Sequence, residues 1–279
     1  MENVFSVIGG DLRIKKLVEL LIEDGNVVYT YGISNVKNAI ECENIVETIK
    51  NSNYVIGPVP FSKDNVHIFS DKEIEIEELT SVLENKTLIA GNIKVYVYDE
   101  LKNKNVKIID LLNKEELAVL NSISTAEGAI QVAMEKTDYI LTGANCLVLG
   151  FGRIGKVLAK MLNGIGANVW CEARRETDLA WIRAYGYKGI HLNELNGILG
   201  KFDIIFNTIP SIILNDSNLK YIKNDALIVE LASTPGGVDK DILKNYNIGY
   251  ELALALPGKV APKTSAEFIR NIIYKTKEE

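Results

Sequence analysis

Apolar and polar positions follow two rhythms along this chain. Short apolar runs at Val4–Ile8, Val27–Tyr31, Tyr54–Ile56, Thr87–Ala90 and 106–109 are bounded by glycine, proline or asparagine, the pattern of buried strands. Between the first two, Leu12, Leu17, Leu20 and Leu21 recur near helical spacing until Gly25 ends the helix. Ile76, Leu79, Val82 and Leu83 mark another helix. The second half repeats the alternation, with strands predicted at Asn145–Leu149, Asn168–Ala173, 203–207, 227–231 and 248–253. Helices are expected over 154–163, 178–184 and 217–222. Such alternation implies mostly parallel sheets covered by helices. The stretch 114–136 is helical, with a break expected near 122–124. From Thr125 onward, Ala126, Ala129, Ile130 and Ala133 form one apolar stripe. A last helix over 265–275 carries Phe268, Ile269, Ile272 and Ile273 and is expected to pack back on the first half.

These patterns give an α/β chain in two parts. Residues 1–120 form a smaller N-terminal α/β domain, flavodoxin-like or Rossmann-like, on the substrate side. Residues 121–262 form a doubly wound parallel-sheet Rossmann domain, and 263–279 the C-terminal helix. No fixed-period repeat or low-complexity tract interrupts them.

Composition narrows the function. The 279 residues are 47% apolar and 24% charged, which suits a globular chain with a sizeable core. The net charge of −6 gives no general electrostatic case for nucleic acid or anionic membrane. No apolar run approaches a membrane span, and the N-terminus does not read as a signal peptide. Three widely spaced cysteines, Cys42, Cys146 and Cys171, suit a reduced cytoplasmic compartment. No Cys/His spacing resembles a metal site, so no metal is expected. With His67 and His191 the only histidines, His-centred nucleophilic catalysis has few candidates.

The sharpest motif is Gly150-Phe151-Gly152-Arg153-Ile154-Gly155, directly after an apolar strand and before an apolar-periodic helix. In that context the glycines permit a tight turn, approach of a pyrophosphate, and close helix–strand packing. The helix N-terminus supplies N–H groups and positive dipole to a dinucleotide. The next strand ends in Glu172-Ala173-Arg174-Arg175. A small residue followed by two arginines favours the 2′-phosphate of NADP over NAD, with Glu172 on a ribose as the alternative. Thr208, Ile209 and Pro210 end one later strand and Ala232 and Ser233 the next, where the nicotinamide side of such a site lies. The stretch 256–264, with Gly258 and Lys263, reads as a third loop there.

Three motifs each allow two readings. Gly9-Gly10-Asp11-Leu12-Arg13 occupies the equivalent place in the first domain. Either Arg13 and the helix start hold a substrate carboxylate, or Asp11 simply caps the helix. Ser124-Thr125-Ala126-Glu127 is a formal capping box, which by itself explains Glu127. Alternatively Thr125 and Glu127 face the site, where they bind substrate or move a proton. Between a structural and a functional His191, the structural reading is preferred.

At these residues the chain resembles the family of the dipicolinate synthase A subunit. The likeness rests on GGDLR (9–13), NSISTAEGAI (121–130), the fingerprint helix, NTIPSIILN (207–215), LASTPGGVD (231–239) and LPGKVAPKTSAEFI (256–269). It implies a Rossmann cofactor domain joined to a smaller α/β domain, a flavoprotein-like B subunit as partner, and work in the cytoplasm during spore formation. It implies dehydrogenation of a dihydrodipicolinate-type precursor to pyridine-2,6-dicarboxylate, for which the paired arginines favour NADP as the cofactor. A homo-oligomer is expected. Thr234 stands where the family pattern leads one to expect a basic residue. The expected substrate pocket lies between the domains, bounded by Thr125, Glu127, Ser233, Gly258 and Lys263, with Lys263 and Arg13 as anion sites. Glu127, Thr125 and Lys263 are the catalytic candidates. Two rivals remain: a two-domain hydroxy-acid dehydrogenase, disfavoured because no Arg stands in the 232–236 loop and no His follows position 191, and a noncatalytic NADP-binding scaffold.

Overall fold

The structure is a computed structural model describing residues 3–278. In chain order it forms β1 (Val4–Ile8), α1 (Leu12–Glu23), β2 (Val27–Tyr31), β3 (Ile40–Glu41), α2 (Ile45–Ile49), β4 (Tyr54–Ile56), α3 (Ile76–Ser81), β5 (Thr87–Ala90), α4 (Val95–Leu101) and β6 (Lys107–Asp110). Helix α5 (Glu115–Lys136) follows. Then come β7 (Asn145–Leu149), α6 (Arg153–Ile165), β8 (Asn168–Ala173), α7 (Glu176–Ala184), β9 (Lys188–His191), β10 (Ile204–Asn207), β11 (Leu227–Glu230), α8 (Lys240–Leu243), β12 (Gly249–Leu252), α9 (Leu256–Val260) and α10 (Pro262–Glu278). Two compact units result: Met1–Leu120 with Ala261–Glu279, and Asn121–Val260. The division falls inside α5. Counting α10 with the first unit makes the two nearly equal in length.

The first unit is built on an all-parallel sheet in the order β3-β2-β1-β4-β5-β6. The second sheet, also parallel, runs β12-β11-β10-β7-β8-β9. Both are α/β domains, and the second is a doubly wound Rossmann-type dehydrogenase fold. Its central strands read as continuous apolar runs because both faces are covered: Leu147 and Leu149 enter one core, Cys146 and Val148 the other. The stripe Ala126, Ala129, Ile130 and Ala133 of α5 lies in the same core as Cys146 and Val148. In the first unit, Ile14, Leu17, Val18 and Leu21 of α1 pack with Ala266, Ile269, Ile272 and Ile273 of α10. Each such side chain larger than alanine contributes about 1.5–3 kcal/mol when fully buried. Tyr274 joins the two helices by donating to Asp24 at 2.7 Å.

Some local expectations fail. Helix α5 has no break: the hydroxyls of Ser124 and Thr125 donate to the Asn121 carbonyl at 3.3 and 2.8 Å, and the helix runs on. The expected helix over 217–222 is only a short 3-10 turn, Leu219–Tyr221. The Asn215 side chain accepts from both the amide and the hydroxyl of Ser217, so a local turn replaces the helix start. The expected loop 256–264 is instead α9 and the start of α10, which takes Pro262 at its first position.

Candidate functional site

The turn between β7 and α6 carries the glycine fingerprint. Gly150 has φ of 90°, a left-handed conformation that favours glycine. A Cβ at Gly155 would stand 2.1 Å from the Gly150 carbonyl oxygen, so only glycine lets the helix start so close to the strand. Gly152 is the N-cap and supplies no side-chain acceptor. A Cβ built on it meets nothing within 4 Å. The first turn of α6 is thus uncapped, with open space before it, the arrangement that a phosphate fills.

A cavity of about 340 Å³ adjoins this turn. Gly150 to Gly152, Ile209 and the 172–175 run line it, together with Asp178. The residues therefore fit a dinucleotide. A larger groove, about 760 Å³, lies in the first unit among Tyr54, Thr87 and Lys107, at the amino ends of their strands. Ligands of open α/β sheets bind at the carboxyl ends, so the smaller cavity is the candidate.

The two arginines differ. Arg174 and Arg175 are both exposed, but Arg175 is already engaged in a fork with Asp178, at 2.7 and 3.1 Å. Glu172 is buried at 1% exposure. Its Oε2 accepts from the Gly150 N–H at 3.2 Å, and its Oε1 has no partner. Burial pushes the Glu172 carboxyl above the usual carboxylate range.

At the neighbouring strand ends, Thr208 is half-buried and donates its hydroxyl to the Leu149 carbonyl at 2.8 Å. Ile209 is half-buried, while Pro210 and Ser233 are exposed and Ala232 is buried. Sequence reading missed what joins these loops. Glu230, fully buried at the end of β11, accepts from Asn207 Nδ2 at 2.7 Å, Ala232 N at 3.0 Å and Gly237 N at 2.8 Å. Asn207 also holds Ile209, donating to its carbonyl at 2.9 Å. The available signal was a carboxylate closing the apolar run of β11. Three donors on one buried carboxyl group fix both loops without a cation.

The substrate candidates are less uniform. Glu127 is exposed on α5 and Thr125 is half-buried. Because Ser124 lies inside the helix, the expected capping box does not form, and capping does not explain Glu127. Gly258 lies in α9, half-buried, rather than in a loop. Lys263 is exposed in the first turn of α10. The anion site expected at Arg13 is overturned. Arg13 is 5% exposed, is paired with Asp11 at 2.7 Å and also donates to the Val59 carbonyl. Asp11 meanwhile caps α1 by accepting the Arg13 N–H at 3.0 Å. His191 caps the turn after β9, its Nδ1 accepting from Asn193 N at 3.3 Å. Among the described residues no cluster of three or more His, Cys, Asp or Glu could hold a metal ion. Nor is any described helix long and apolar enough to cross a membrane.

Comparison with known proteins agrees with this geometry. Residues 4–112 match the family described as the N-terminal domain of the dipicolinate synthase A subunit. Residues 121–249 match the D-isomer specific 2-hydroxyacid dehydrogenase NAD binding domain. The dipicolinate synthase A subunit of Bacillus subtilis (strain 168) is 32% identical over 279 residues, spanning 97% of this chain and 94% of that one. The crystal structure of dipicolinate synthase, A chain, from Bacillus subtilis aligns with a TM-score of 0.87 at 32% identity, over 100% of this chain and 96% of the other. The A subunit from Bacillus halodurans gives 0.88 at 26% identity, over 100% and 98%. Fold and similarity support an NAD(P)-dependent oxidoreductase in general terms. With similarity along nearly its whole length, the chain belongs to the family of the dipicolinate synthase A subunit.

Proposed function

We propose that this chain carries out the NADP-dependent dehydrogenation of a dihydrodipicolinate-type precursor to pyridine-2,6-dicarboxylate during sporulation. It would do so in the cytoplasm, as a homo-oligomer beside a flavoprotein-like B subunit. The observation that carries the reading is the full-length similarity to the dipicolinate synthase A subunit, joined to an uncapped glycine turn at the start of α6.

The N–H groups of 152–155, with Arg153 and Ile154 in the first helical turn, hold the pyrophosphate. Arg174 reads the 2′-phosphate directly, since Asp178 already occupies the fork of Arg175. Thr208, Ile209, Pro210, Ala232 and Ser233 position the nicotinamide end, with Glu230 and Asn207 fixing the loops that carry them. Bound NADP supplies a hydride acceptor. Aromatising a dihydropyridine releases one hydride and one proton. The chain's task is to orient the ring and receive the proton. Glu127 takes that proton, and Thr125, Ser233 and Gly258 orient the substrate. Lys263 meets a carboxylate. Arg13 has no part in this, being committed to Asp11 and Val59.

The test is turnover by the pure chain, with and without its partner subunit, supplied with precursor and NADP. Product from the chain alone supports the assignment; product only when the partner is present favours a scaffold. Glu127→Gln should lower turnover at least tenfold with unchanged cofactor affinity. Lys263→Ala should raise the half-saturating precursor concentration alone.

A further inference from the structure

Glu172 is the least explained group at the candidate site. The pairing of Leu149 with Glu172 between β7 and β8 sets it beside the glycine turn. One oxygen is occupied by Gly150 N–H, while the other is buried and bonded to nothing. Buried carboxyl oxygens seldom lack a partner, and this residue lines the same cavity as Ala173 and Arg174. An unsatisfied polar atom there points to the ligand as its missing partner.

We propose that Glu172 helps select the phosphorylated dinucleotide by presenting a neutral carboxyl group to its adenosine end, so that the choice between NADP and NAD depends on pH. This rests on the reading that the second unit binds the dinucleotide. The charged surroundings of Glu172 are few. Arg174, after β8, and His191, at the end of β9, favour its ionised form. Arg175 is matched by Asp178 on α7, and the β10 loop brings only the uncharged Thr208 and Ile209. Burial opposes these two cations and the Gly150 N–H, and outweighs all three.

The two protonation states suit different ligands. A neutral carboxyl has one O–H donor, which adds to Arg174 as a donor for a 2′-phosphate oxygen. Once ionised, the same group only accepts. It then repels a phosphate but takes a hydrogen bond from the 2′-hydroxyl of an unphosphorylated ribose. Rising pH therefore shifts preference away from the phosphorylated cofactor. By linkage, the phosphorylated ligand holds the proton on Glu172 and the unphosphorylated one releases it.

The experiment measures NADPH and NADH affinities of the full chain by fluorescence titration, from about pH 5.5 to about pH 8.5, a range above the ordinary glutamate pKa of about 4.3. The wild type is compared with Glu172→Gln, a neutral group of the same size. Relative to that variant, which cancels the titration of the phosphate itself, the wild-type preference for NADPH should fall roughly tenfold across the range. Parallel profiles in the two proteins would overturn the proposal. Should the variant fail to fold, the wild type still decides. The Glu172 carboxyl, followed by carbon NMR, should titrate at higher pH with NADPH bound than with NADH bound, and equal midpoints contradict the proposal. The size of the preference at neutral pH tests the NADP reading separately: tighter NADH binding there sinks that reading, whatever the slope with pH.

Discussion

The two units place the same secondary structure around the same kind of turn and prepare it for opposite uses. In each, the first strand lies at the sheet's centre beside the fourth, β1 next to β4 and β7 next to β10. In each, a glycine turn leads from that strand into a helix. In the first unit Asp11 caps the helix, and its carboxylate is neutralised by the buried Arg13. In the second, Gly152 caps nothing. A helix N-terminus attracts an anion in either case. The first unit supplies its own; the second leaves the place for a ligand. The fold provides two candidate dinucleotide positions, and the cap residue decides between them.

Substitutions on either side sharpen or break this contrast. The largest effect is expected from Asp11→Ala, which removes the cap and leaves the Arg13 guanidinium buried without its carboxylate. Losing one partner of such a pair costs about 3–5 kcal/mol, read by denaturant unfolding, while NADPH affinity stays unchanged. Lost affinity in a folded variant would mean that the first turn also serves the cofactor. Next, Gly152→Asp gives the second unit the kind of plug the first one has. Its side chain enters open space, so the melting temperature should hold. Affinity should drop roughly 100-fold, about 2.7 kcal/mol, through repulsion of the pyrophosphate. Smaller again is Arg174→Ala, expected to weaken NADPH by about 1.5–3 kcal/mol while sparing NADH. Arg175→Ala should do less, because Asp178 already holds that guanidinium. Equal losses from the two arginines would place the phosphate between them.

Much of this contrast was legible in the chain. Apolar runs marked β1, β7 and their neighbours because strands buried on both faces leave few polar positions. Gly150 to Gly155 identified the open turn because its glycines answer to local backbone geometry. Both readings of GGDLR were visible, but choosing between them required knowing that Val59 offers Arg13 a buried carbonyl, a contact across 46 positions. Glu230 was missed for the same reason: its donors come from Asn207, Ala232 and Gly237, on loops that only the sheet brings together. Ser124 misled because serine before an apolar stripe signals a helix start, whereas here its hydroxyl returns to the Asn121 carbonyl within one continuous helix.

The most direct test of the central claim is the stoichiometry of NADPH binding, measured by titration calorimetry on the wild type, Gly152→Asp and Asp11→Ala. The account predicts one site per chain, lost in Gly152→Asp and kept at full affinity in Asp11→Ala. Two sites per wild-type chain, or one that survives Gly152→Asp and disappears in a folded Asp11→Ala, would contradict it.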